Sequence, residues 1–138
     1  APAAPHRPGR PRGAPAGRPR PAVAPARYGP SVTDRADAYE AYTNGQWLIE
    51  AREFDQAAVA LERAKVLEPD KGSIREALGR AYLAARSYQR AAEEFGVAVE
   101  LCPTDGYAHY GLARSLSRLG DPAAARHYRL ARLFGTGL

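Results

Sequence analysis

With 138 residues and a formal net charge of +5, the chain has room for one domain and a short appendage. A single cysteine, Cys102, excludes a fold stapled by internal disulfides, and no apolar run approaches the roughly 18 residues needed to span a membrane. The charge is uneven: residues 1–30 hold six arginines and no acid, whereas residues 31–138 hold all fifteen acids beside fourteen bases. The basic balance therefore belongs to the head alone.

Residues 1–30 also carry nine of the twelve prolines, separated by Gly, Ala and Arg. Proline removes backbone donors, glycine loosens the chain, and little in this stretch is large enough to bury. The expectation is a disordered, partly polyproline-like tail over 1–30. It lacks the apolar core of a secretion signal, so the expected location is the cytoplasm. Eighteen arginines against two lysines suggest a GC-rich bacterial source.

From Ser31 onward the pattern is helical throughout, and no stretch alternates with period two. A first helix starts at Ser31 or Thr33 as cap and carries Ala38, Ala41, Gly45 and Leu48 to about Arg52. Phe54-Asp55 predicts a break, with Asp55 capping a second helix and Phe54 stapled against Val59. That helix carries Ala57, Leu61, Ala64 and Leu67 and stops at Glu68-Pro69. Ser73 and Glu76 have the spacing of a capping box for a third helix ending near Ala85. Ser87 is the expected cap of a fourth, ending at Leu101, and Thr104 or Asp105 that of a fifth. Gly120-Asp121-Pro122 reads as turn, cap and first-turn proline of a sixth, with Gly135 past its end.

Spacing shows that these helices repeat. Gly45, Leu48, Ala57, Leu61, Ala64, Leu67 and Pro69 recur 34 residues later as Gly79, Tyr82, Ala91, Phe95, Ala98, Leu101 and Pro103. Leu78, Gly79 and Tyr82 recur again as Leu112, Ala113 and Leu116, and the last helix follows at a shift of 33 with Ala124, Tyr128 and Ala131. Small residues sit where paired helices would touch, and one hairpin of this kind cannot bury its own apolar face.

The stretch Arg75-x2-Leu78-Gly79-x2-Tyr82…Ala91-x3-Phe95…Pro103 resembles the tetratricopeptide repeat (TPR) pattern, with Arg75 in place of its tryptophan. The resemblance covers about residues 38–134 and implies an all-α, right-handed solenoid of three antiparallel helix hairpins. Its repeats would lie at about 38–71, 72–105 and 106–138, like those of small bacterial TPR proteins. It further implies that the first helix of each hairpin lines a concave groove that takes a peptide or helix of a partner protein. Carried across residue by residue, the groove positions are Tyr39, Tyr42, Gln46 and Ile49; Ser73, Glu76, Arg80 and Leu83; and Tyr107, Tyr110, Arg114 and Ser117, with Arg118 nearby. The chaperone-binding members of the family use a Lys and Asn clamp, whose key places are here taken by Tyr42, Gln46 and Tyr110. Tyrosine offers large contact area at low entropic cost, and arginine can grip a carboxylate with two parallel bonds, so an acidic segment is the expected ligand.

Other chemistry finds little support. The three histidines are scattered, no paired metal-ligand spacing occurs, and no glycine-rich phosphate loop is present, so no metal, cofactor or enzyme activity is expected. Glu93 and Glu94 read as a solvated helix face, Cys102 as buried filler and Trp47 as a structural gap-filler at the start of the stack. Leu130, Leu133 and Phe134 at the far end invite self-association. In the tail, Pro8-Gly9-Arg10-Pro11-Arg12 and Ala16-Gly17-Arg18-Pro19-Arg20 resemble the minor-groove AT-hook, but each lacks the first arginine of its core. Weak, salt-sensitive nucleic-acid binding by the tail is the expectation there, and a nucleic-acid-associated adaptor is the competing function.

Overall fold

The computed structural model describes residues 29–135, and the expected tail lies almost wholly outside them. Six helices follow in order: α1 (Val32–Glu50), α2 (Phe54–Leu67), α3 (Gly72–Ala84), α4 (Tyr88–Leu101), α5 (Gly106–Arg118) and α6 (Ala124–Phe134). They pair as three hairpins, α1/α2, α3/α4 and α5/α6, and each hairpin packs on the next through α2 against α3 and α4 against α5. The first helices also touch one another, α1 with α3 and α3 with α5. Among the described residues, α2, α4 and α6 make no such contacts with each other, so the second helices splay and the first helices line the concave side.

Close approach explains the small residues. A side-chain carbon added at Gly45 would meet the Leu61 side chain at 2.5 Å, and one at Gly79 would meet the Phe95 ring at 2.8 Å. These are the same intrahairpin contact, repeated 34 residues apart. Phe95 also faces Gly111 of α5, so its ring is gripped between two glycines on different helices and is 1% exposed. Leu61, Leu78, Ala57 and Ala91 complete a fully buried core around it.

The turns inside the hairpins share one geometry. Arg52, Arg86 and Gly120 stand at 34-residue intervals and all adopt left-handed backbone, with φ of 63°, 65° and 76°. The next amide reaches back five residues in each case: Glu53 to the Leu48 carbonyl, Ser87 to Tyr82 and Asp121 to Leu116. This is a Schellman closure. It ends the first helix of every hairpin, so the predicted break at Phe54-Asp55 falls two residues too late.

Helix starts differ from expectation in several places. Ser31 does cap α1, in a full capping box with Asp34. Asp105 caps α5, accepting from the amides of Tyr107 and Ala108. Asp55 caps nothing, because the Schellman turn makes Glu53 the N-cap, and Val59 points to solvent, so no staple with Phe54 forms. Lys71, not Ser73, precedes α3, which removes the predicted capping box and carries Glu76 into the groove. Ser87 occupies the N-cap of α4 without a side-chain bond. The Ala123 amide donates to Asp121 Oδ1 at 2.9 Å, followed by a tight turn before α6 proper.

Four further expectations are corrected. Glu94 is buried rather than solvated: it pairs with Lys65 at 2.8 Å and Arg75 at 3.0 Å, joining α2, α3 and α4. Arg75 thus meets charge where the repeat pattern has an aromatic. Trp47 is 66% exposed and fills no gap, and Cys102 is exposed as well. The scattered histidines 109 and 127 come together, with their Nδ1 atoms 3.0 Å apart across α5 and α6. Leu133 and Phe134 are exposed, as expected.

Candidate functional site: the concave groove

Tyr42, Gln46, Ser73, Glu76, Arg80 and Tyr107 converge from all three first helices around a pocket of about 110 Å³. Gln46 Nε2 donates to the Tyr42 hydroxyl at 2.6 Å, which fixes both side chains one turn apart on α1. A second hollow of about 180 Å³ opens beside it and shares Tyr42; Arg35, Tyr39, Glu68 and Lys71 form its polar rim. Their linings carry three bases, Arg35, Lys71 and Arg80, beside two acids, Glu68 and Glu76.

One of these acids has unusual chemistry. Burial, and the Asp105 carboxylate close by, push Glu76 up to about 8, against the pull of Arg80. A carboxyl raised in this way holds its proton against Asp105 and offsets less of the Arg80 charge than an ionised one would. Asp105 is occupied as the N-cap of α5.

The remaining groove positions separate. Tyr39 is exposed on the rim, but Ile49 is buried in the core and unavailable, and Leu83 packs half-buried against that core. Tyr110 and Arg114 form a cluster of their own at the α5/α6 end. Tyr110 meets Tyr128 edge-on at 6.1 Å, and the Arg114 guanidinium lies over the Tyr110 ring at 5.9 Å. Ser117 and Arg118 are exposed, and Arg118 is tied to α4, donating to the Tyr88 hydroxyl at 3.1 Å and stacking on its ring at 5.3 Å. Sequence reasoning missed Arg35 and Lys71. Arg35 was within reach, since it stands four and seven residues before Tyr39 and Tyr42 on one face of α1.

Among the described residues, no cluster of three or more His, Cys, Asp or Glu is placed to hold a metal ion, and no helix is long and apolar enough to cross a membrane.

Solved structures share this architecture. The second TPR domain of Spaghetti (RPAP3), bound to the HSP90 peptide SRMEEVD, superposes with a TM-score of 0.71 at 15% identity, over 75% of this chain and 96% of that one. A chain of the CopN–Scc3 complex gives 0.68 at 17% identity, and this chain spans only 60% of its length. A MamA variant gives 0.67 at 23% identity, covering 71% of this chain and 72% of that one. No protein-family model and no curated protein matches the chain by sequence. The fold is the TPR solenoid, three hairpins long.

Proposed function

We propose that the chain is a protein-interaction module that binds a partner's peptide or helix in the concave groove, and that the bound segment is acidic. It acts by binding and presentation, not by catalysis. The observation that carries this reading is the pocket where Tyr42, Gln46, Glu76, Arg80 and Tyr107 meet from three separate hairpins. The Arg80 guanidinium and the tyrosine hydroxyls supply donors for a carboxylate, and the tyrosine rings supply contact area. The RPAP3 domain of the same fold holds a peptide with three acidic residues, which supports the polarity without identifying the ligand.

The test uses an immobilised peptide library in which acidic and charge-neutral sequences are matched for length and apolar content. Acidic members should bind preferentially. Arg80→Ala should weaken them by about tenfold, the worth of one charged hydrogen-bond pair, while leaving the helical signal intact. Equal capture of acidic and neutral peptides, or an Arg80→Ala variant that binds as tightly as the parent, would overturn the proposal.

A further inference from the structure

The first hairpin turns one face away from the stack, and the repeat spacing shows which. In α3 the residues Ile74, Leu78, Ala81 and Tyr82 are buried at the junction with α2 and the adjoining core. Thirty-four residues earlier the same places hold Glu40, Asn44, Trp47 and Leu48. Here Glu40, Asn44 and Leu48 line an open cleft of about 490 Å³ between α1 and α2, with Asp37 and Glu40 on one wall and Val59 and Arg63 on the other. Trp47 is exposed one turn beyond Asn44 and directly before the cleft-lining Leu48, which sets it beside the cleft, and Val59 is 73% exposed. The matching positions in α3 and α5, Ala81 and Ser115, are small and fully buried, which permits close helix packing. A large indole there obstructs another close-packed helix. Acidic side chains and an exposed aromatic suit instead an extended segment that brings positive charge and flat apolar rings.

We propose that the arginine- and proline-rich segment of this chain preceding Gly29 docks in the α1/α2 cleft, its proline rings on Trp47 and its arginines on Asp37 and Glu40. Charge complementarity favours this occupant: the cleft carries Asp37 and Glu40 against Arg63, within a hairpin whose residues 31–69 hold eight acids against four bases, whereas residues 1–28 hold six arginines and no acid. The segment is tethered beside its site. Gly29, with φ of 79°, stands directly ahead of Pro30 and the Ser31 cap, a backbone conformation that turns the chain as it enters α1. From Asp37 to Leu48 the cleft runs roughly 17 Å along α1, which an extended proline-rich stretch covers in about six residues. Tethering also raises the local concentration of the segment far above that of a free peptide. This face lies at the end of the stack, away from the concave groove, so the two sites stand independently.

Trp47 is the only tryptophan in the chain, so its fluorescence reports on the cleft rim alone. In the full chain, acrylamide quenching of Trp47 should be about twofold weaker at about 20 mM salt than at about 500 mM, where screening releases exposed ion pairs. A variant with Arg7, Arg10, Arg12, Arg18, Arg20 and Arg27 replaced by Gln should show the high-salt value at either salt. So should the Asp37→Asn/Glu40→Gln variant, with circular dichroism unchanged in both. The proposal is overturned if low-salt quenching of the parent already equals that of these variants, or if protection survives loss of the six arginines. It is equally overturned if protection grows with protein concentration between about 1 and 100 µM, because mass action would then assign the cover to a second copy.

Discussion

Three helical glycines predict opposite outcomes for one substitution, because what each faces differs. Gly79 and Gly111 each face the Phe95 ring within contact distance, whereas a side-chain carbon at Gly96, midway along α4, meets nothing within 4 Å. Gly79→Ala and Gly111→Ala must push the ring aside in a closed core and should each cost about 1–3 kcal/mol. Gly96→Ala should instead gain about 0.5–1 kcal/mol from improved helix propensity. Thermal melts of the three variants check this, and a Gly111→Ala protein as stable as the parent would show that the core yields. Gly79 was legible because it recurs from Gly45 at the repeat spacing. Gly111 was not, since its counterpart is Ala77 and its role depends on how the next hairpin lies across Phe95. At Arg52 and Arg86 the left-handed backbone is held by residues with a Cβ, which costs about 1 kcal/mol at each. Arg86→Gly should therefore raise the melting temperature by a few degrees, as Gly120 already shows the preferred chemistry at the equivalent turn.

Between elements, the first two hairpins are joined by charge as well as by packing. Lys65 of α2, Arg75 of α3 and Glu94 of α4 form one cluster, extended by a Lys65–Glu62 pair and by the Tyr82 hydroxyl donating to Glu62. The Glu94 side chain is 9% exposed, so Glu94→Gln strips Arg75 of its counterion and leaves Lys65 with Glu62 alone in a half-dry junction, and should cost about 1–3 kcal/mol. Double-mutant cycles with Arg75→Met would show whether the loss travels through that pair. Helix number and order were legible because the spacing of small and large residues follows the packing directly. Helix starts were less so. Ser73, Asp55 and Ser87 are good caps in isolation, yet the Schellman turns and the Lys71 junction set where the backbone enters each helix. The ion cluster was hidden for a related reason: Glu94 looks solvent-facing until α2 is laid across it.

For the molecule as a whole, two groups oppose each other as pH changes. His109 Nε2 lies 2.7 Å from the Pro103 carbonyl, so the network assigns that nitrogen as a donor and leaves Nδ1 to accept from His127 Nδ1. Burial, then Arg126 and His109, hold His127 below its ordinary value despite the opposing Asp121. Its contribution to stability is complete above about pH 6.5 and is lost as pH falls through the lowered value. Glu76, raised to about 8, has the reverse sign: it favours the folded state fully below its ordinary value of 4.5 and loses that advantage as pH rises toward 8. Glu76→Gln should accordingly melt at a higher temperature than the parent at pH 8, with the difference shrinking by pH 5. A constant offset across that range would place the titration elsewhere. The groove itself was only partly legible. Tyr42, Gln46, Glu76, Arg80 and Tyr107 follow from the repeat register, whereas the loss of Ile49 to the core and of Arg118 to Tyr88 depends on side-chain directions that spacing does not encode.

Helices in this stack touch only their neighbours in sequence or, along the inner layer, the element two places on. Among the described residues, no contact between elements joins α1 to α6. Such a topology closes short loops first and never waits for a long one, so it belongs with the fast folders, in the microsecond-to-millisecond range. It also has no single obligatory nucleus: any hairpin can form first and template the next. The α3/α4 unit, with Phe95 held from both sides, gains most from its neighbours. Mutations at Phe95 should therefore speed unfolding more than they slow folding, a partition that a stopped-flow chevron reads directly.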